Sequence, residues 1–358
     1  MANIFARSPF IIKIDEANQI ETKVELYIWN GTGAAPALPT YKISKIIPSL
    51  SNRATYYNIS PFIKEFLSHP DFENTYNISN DSLNTLEWCN VVVKKFKKLT
   101  NTFSQVGADL NYYAFDGYTL YSDGVNKDLG NFLLDQKTYY YYYDPSAVLA
   151  SEPLKRGGTL SWVAKDGQKI RWTELITGNT VNVTITQDQI INTYRVYQLY
   201  YDNGNVMEIL DASNNVLWSA TFRPKTECEY TPVVCDFINK YGGWQREWFF
   251  KRTTNNIEVT NSEYNLLQNV LVNYSVLEGQ QKVFNTAYKE TITVNTDWVN
   301  EDFSENIRQL MTSERILLDN RPVKLNTKSM ELFKQIDTKM INYTLTFEYA
   351  HDIINSVV

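Results

Sequence analysis

Residues 228–252, CEYTPVVCDFINKYGGWQREWFFKR, decide the fold class. Val233, Cys235, Phe237 and Ile238 lead into Asn239-Lys240-Tyr241-Gly242-Gly243, and the chain returns through Trp244, Trp248, Phe249 and Phe250. Two consecutive glycines between apolar, aromatic runs supply positions where φ can be positive, so the stretch predicts a hairpin that turns at 239–243. Rings at this density do not stay in water, since burying each one stabilises its surroundings by about 2–3 kcal/mol. Cys235, Phe237, Gly242, Gly243, Trp244, Trp248 and Phe250 are therefore expected to form a core ladder, with sequence from both sides packed onto it. The other reading of these residues is an exposed aromatic platform for a partner or a sugar.

Upstream, Pro9–Ile14, Lys23–Trp29, Tyr41–Lys45 and Trp88–Leu99 read as strands, and Lys23–Trp29 alternates with period two. Ser60 is the expected N-cap of a short helix with Pro61 at its first position. The polar stretch Ser151–Gly158 predicts a boundary. Short strands follow at Thr159–Ala164, Lys169–Leu175, Thr180–Ile185, Tyr194–Tyr201, Asn205–Leu210 and Val216–Phe222. Their turn-rich connections point to an antiparallel sandwich of immunoglobulin-like size. Downstream, Ser262–Val272 reads as a short helix or edge segment, and Lys282–Val294 as a strand pair. Trp298, Phe303, Ile307, Leu310 and Met311 recur at helical spacing, with Glu301, Asp302 and Glu305 in the opening turns, so an amphipathic helix is expected near 298–313. The Asp319-Asn320-Arg321-Pro322 turn and the alternating Tyr343–Tyr349 strand close the chain. The expected fold is mainly β: several antiparallel β-sandwich modules with a few short helices. Its expected divisions are an N-terminal module at 1–150, a sandwich at 156–225 and a C-terminal module at 226–358.

With 358 residues, 43% hydrophobic and 21% charged, the chain can bury a core and is unlike a disordered one. A net charge of −6 argues against a phosphate-contacting face, so nucleic acid is not an expected partner. No window of about 18 apolar residues occurs and the N-terminus does not read as a signal peptide, so neither membrane insertion nor export is expected. Twenty-five tyrosines favour both strands and contact surfaces.

The residues that carry chemistry are few. Tyr139, Tyr140, Tyr141, Tyr142 and Tyr143 lie in one run, and alternation sends two or three of the rings inward. Those facing outward, together with Tyr113 and Tyr118 in the segment with Asp116-Gly117 and Asp123-Gly124 turns, are candidates for subunit contact or glycan stacking. Lys94, Lys95, Lys97 and Lys98 around Phe96 read as a lysine-protected edge strand rather than a phosphate patch. His69 is expected in solvent. His351 beside Asp352 has no assignable nucleophile. The three cysteines, Cys89, Cys228 and Cys235, do not suggest a disulfide framework; Cys228 and Cys235 are expected to be buried strand thiols, and no metal or cofactor is expected. No two carboxylates pair as acid and base, so the chain reads as no enzyme.

Three groups of segments resemble virion structural proteins of tailed phages infecting Bacteroidota, crAss-like phages among them. They are VELYIWNGTGAAPALPTYKISK (24–45) with YYNISPFIKEFL (56–67), CDFINKYGGWQREWFFKR (235–252), and LMTSERILLDNRPVKLNTKSMELF (310–333) with INYTLTFEY (341–349). The resemblance implies a tail or baseplate component, built of β modules and assembled into a symmetric homo-oligomer in the virion after synthesis in the host bacterial cytoplasm. Its partners would be copies of itself and other virion proteins. A carbohydrate-binding adhesin or head/tail decoration protein for host attachment, stacking its tyrosines on surface glycan, is the alternative.

Overall fold

The computed structural model describes residues 2–47, 53–69, 86–137, 139–143, 159–195, 204–266, 277, 279–329 and 340–351. The fold is mainly β, with antiparallel sheets dominant. The chain groups into two compact units. The first comprises Met1–Thr226, Asp236–Glu247 and Thr312–Glu314, and the second Glu227–Cys235, Trp248–Met311 and Arg315–Val358.

In the first unit the chain forms β1 (Ala2–Phe5), β2 (Ile11–Ile14), β3 (Glu21–Asn30), β4 (Tyr41–Ile46), β5 (Thr55–Asn58), helix α1 (Ser60–Lys64), β6 (Trp88–Lys98), β7 (Phe103–Gln105) and β8 (Leu110–Phe115). One sheet runs β1-β8-β6-β3-β4 with β7 on β6, and β2 pairs with β5. Alternation on β3 and β6 sends Val24, Leu26, Ile28, Val91 and Val93 into a core shared with Ile12, Ile14, Tyr57 and Ile63.

Two expectations are corrected here. Ser60 does not cap α1: its hydroxyl donates to the Ser8 carbonyl at 2.6 Å and accepts from the Phe10 amide at 2.9 Å, tying the helix start to the N-terminal segment. The lysine-rich β6 is an inner strand, not an edge. Lys94, Lys97 and Lys98 pair with Asp109, Glu16 and Glu21 at 3.0–3.3 Å, so acids on neighbouring segments balance the charge.

The unit continues with β9 (Tyr140–Tyr143), β10 (Thr159–Ala164), β11 (Lys169–Glu174), β12 (Thr180–Thr184), β13 (Gln189–Arg195), β14 (Asn205–Leu210) and β15 (Val216–Lys225). A five-stranded sheet runs β12-β11-β14-β15-β9, and β10 pairs with β13. The tyrosine strand β9 joins β15 in parallel, Tyr140 opposite Phe222 and Tyr143 opposite Lys225. The expected boundary at 151–158 lies outside the described residues.

The opening hairpin is β16 (Val233–Ile238) and β17 (Trp244–Phe249). Every residue of β16 is buried, as is all of β17 except Arg246. At the turn the Asn239 amide donates to the Gly243 carbonyl at 2.9 Å, and Asn239 Oδ1 accepts from the amides of Tyr241 and Gly243. Gly242 alone takes positive φ, +83°, so one left-handed residue suffices where two were expected. A Cβ there would lie 2.7 Å from the Asp116 backbone. Asp116-Gly117 therefore makes a close approach to the hairpin tip, and Tyr118 donates its amide to the Lys240 carbonyl at 2.7 Å. Cys235 is fully buried, whereas Cys228, expected buried, is exposed in the segment before β16.

In the second unit, β18 (Lys251–Asn265) and β19 (Gln281–Asn300) are long, helix α2 spans Ser304–Met311, and β20 (Ile316–Leu318), β21 (Arg321–Leu325) and β22 (Met340–Tyr349) follow. The sheet order is β17-β16-β20-β21-β22-β19-β18. Asp319 and Asn320 both take positive φ in the two-residue β20–β21 turn. Helix α2 buries Ile307 and Leu310, with Phe303 buried just ahead of it, but Trp298 lies in β19 at 60% exposure. The helix therefore begins at Ser304, later than its apolar spacing indicates. Ser262 belongs to β18, and Lys282–Val294 is part of one strand. β19 pairs with β22 only from Thr291 onward, so Ile257–Asn265 and Gln281–Glu290 form a two-stranded ribbon beyond the rest of the sheet.

Candidate functional site: the two faces of the tyrosine strand

The alternation of β9 separates its tyrosines by burial. Tyr140 and Tyr142 are buried, and Tyr139, Tyr141 and Tyr143 are half-buried. The Tyr139 and Tyr141 rings stack at 6.5 Å between centroids, 29° from parallel. The parallel partner strand supplies cations to these rings: the Arg223 guanidinium lies 4.3 Å from the Tyr139 centroid and Lys225 Nζ 5.7 Å from that of Tyr141. Each such contact contributes about 0.5–1 kcal/mol at a partly wet site. Burial is the main reason the Tyr141 hydroxyl titrates above its usual range, with Arg223 opposing it. This row of rings and cations can stack on a flat apolar surface, a sugar ring or another side chain.

The inward ring of Tyr140 stacks on Phe222 at 5.3 Å, and its hydroxyl donates to the Asp135 carbonyl at 2.8 Å. The Asp135 carboxylate accepts from the Tyr241 hydroxyl and faces Lys240 Nζ at 3.0 Å. Near this group lies Glu247 of β17, 3% exposed. Gln245 Nε2 donates to its carboxylate at 2.8 Å, and Asn239 links Gln245 to the Leu133 carbonyl. Burial pushes the Glu247 carboxyl up to about 7, against the pull of Lys137 and the Gln245 hydrogen bond. Burial, with the acids Glu247 and Asp135 adding to it, also raises the Tyr140 phenol well above its ordinary value. The cluster can hold a proton on Glu247 near neutral pH.

The remaining expected residues make intramolecular contacts. Tyr113 packs edge-on against Trp88 at 5.9 Å. The Tyr118 hydroxyl shares a 2.6 Å hydrogen bond with Thr312, and Arg7 sits over its ring at 5.0 Å. His69, expected in solvent, is 8% exposed. Its Nε2 lies 3.3 Å from Asp116 Oδ2, and its ring meets Trp244 edge-on at 6.0 Å. His351 packs near Tyr349 at 5.9 Å, and Asp352 lies outside the described residues. Among the described residues no group of three His, Cys, Asp or Glu side chains is placed to hold a metal ion. Arg223, Lys225, Asp135 and Glu247 were not singled out by the sequence; the one local signal was the basic spacing of Arg223 and Lys225 on one face of a strand.

The fold and this site define a mainly β protein with an aromatic, cation-lined strand at a sheet edge. No protein-family model matches the chain, and no curated protein matches it.

Proposed function

We propose that the chain is a non-enzymatic structural component of a tailed-phage virion, a tail or baseplate subunit that assembles with copies of itself and other virion proteins into a symmetric oligomer. The observation that carries this reading is the β18–β19 ribbon. It extends a sheet by a two-stranded arm that exposes Ile257, Val259, Val283 and Phe284 at 50–67%. An isolated strand pair is at best marginally stable in water, and such an arm gains most when another subunit covers it. The phage resemblance of the hairpin and terminal segments supports the same reading. No described helix is long and apolar enough to cross a membrane. Tryptic peptides of the chain in gradient-purified particles from producing cells test the proposal: their presence at stoichiometric level is expected, and their absence overturns it.

The stacked Tyr139 and Tyr141 with Arg223 favour a second reading, a glycan-binding surface for host attachment. Tyr141→Ala together with Tyr143→Ala separates the two. Loss of assembly is expected for a subunit contact. Loss of glycan-array signal with the oligomer intact is the outcome for an adhesin.

A further inference from the structure

Most strands that end a sheet in this protein are protected. β1, β9 and β12 have four or five residues, and β17 has six, nearly all buried. β4 has six residues and carries Lys42 and Lys45, which discourage a further strand from adding. β18 departs from this pattern. It has fifteen residues and closes the seven-stranded order, and among the described residues no strand pairs with its outer edge. From Thr253 to Asn265, TTNNIEVTNSEYN, it contains no Lys, Arg, Pro or Gly. Its alternate amides and carbonyls along this stretch are therefore open to another strand.

We infer that the outer edge of β18 pairs antiparallel with β18 of a second copy, joining two seven-stranded sheets across a two-fold axis. The choice of a second copy as occupant rests on the assembly reading above, and the charges on the strand favour it. Lys251 and Arg252 stand at one end, Glu258 near the middle and Glu263 toward the other end. Antiparallel self-pairing centred on Ile257 lays the basic end of each copy alongside Glu263 of the other, twice in one symmetric contact. Parallel pairing in register sets glutamate against glutamate. The same centre places Ile257, 60% exposed, against its own copy, with Val259 on the same face two residues away. Arg252 and Glu263 are both exposed, and neither has an ion pair among the described residues.

The test is sedimentation of the full chain over a concentration series, with three single variants and one double variant. The wild type is expected to dimerise. Ile257→Lys, which sets two ammonium groups on the axis, is expected to weaken dimerisation at least roughly tenfold. Arg252→Glu and Glu263→Arg should each weaken it several-fold, and the double variant should restore it. Amide exchange over 254–265 should slow as concentration rises. All three changes fall on exposed positions of β18, so far-UV circular dichroism should show each variant folded. A wild type that stays monomeric to its solubility limit overturns the inference, as does an oligomer indifferent to Ile257→Lys. Either outcome leaves the presence of the chain in purified particles as a separate result, so failure here is distinguishable from failure of the virion reading.

Discussion

The β16–β17 hairpin and the β18–β19 ribbon are adjacent in the chain and alike in topology, yet opposite in how they meet solvent. The hairpin buries almost every residue, polar ones included, while from Thr254 to Asn265 only Ser262 is even half-buried. The hairpin holds buried polar groups through hydrogen bonds and an ion pair of its own. Arg246 donates twice to Asp236 at 2.8 Å, and Asn239 satisfies the turn. The ribbon carries β-branched residues among Asn, Thr and Glu, so cross-strand pairing holds it without a core. A strand pair thus becomes core or arm according to whether its side chains can be covered and its charges paired.

This contrast can be broken at the hairpin first. Asp236→Ala leaves the Arg246 guanidinium without its carboxylate at a site where both side chains are nearly inaccessible, and a loss of about 3–5 kcal/mol is expected in denaturant unfolding. The next effect is one of pH. The Glu247 carboxyl titrates at about 7 in the folded protein against an ordinary 4.5. Below that ordinary value both states hold the proton. As pH rises toward 7, the unfolded chain releases it while the folded chain keeps it, so stability falls across this window by about 3 kcal/mol. Unfolding of Glu247→Gln measured from pH 4 to 8 should show that slope flattened. Glu227, held down to about 2 chiefly by the Lys251 hydrogen bond, acts in the opposite sense and below that window. The smallest change belongs to the ribbon: Ile257→Ala should alter the unfolding free energy of the monomer by less than about 0.5 kcal/mol. A larger loss would mean that the ribbon is packed against its own chain.

Much of the fold was legible because it is written locally. The strands at 159–164, 169–174, 180–184, 205–210 and 216–225 fall close to their turn signals, the hairpin turn sits on Asn239–Gly243, and Asp319-Asn320 reverses the chain as its residue types demand; β13 (Gln189–Arg195) begins ahead of the expected Tyr194–Tyr201, most of which lies outside the described residues. What misled was tertiary. Lysines on β6 looked like edge protection because nothing local shows acids arriving from Glu16, Glu21 and Asp109. Ser60 resembled a cap until the segment around Ser8 claimed its hydroxyl. The inward and outward tyrosines of β9 followed from alternation alone. Their cations and the buried acid at Glu247 did not, because these come from segments distant in sequence. The ribbon escaped notice because period-two alternation of hydrophobicity marks half-buried strands, and this pair has no buried face.

The composition of the first unit has a consequence for the order in which the chain is made. That unit includes Asp236–Glu247 and Thr312–Glu314. Arg7 donates to the Thr312 carbonyl and pairs with Glu314, and Lys64 reaches the same carboxylate. A nascent chain that has just emerged through Thr226 still lacks these pieces. The 88 residues from there to Glu314 (314 − 226) take on the order of ten seconds at ordinary translation speeds. Over that interval the surfaces that await Phe237 and Trp244, and then Thr312–Glu314, stand uncovered on the ribosome. The earliest part of the polypeptide to appear is in this way among the last to be finished.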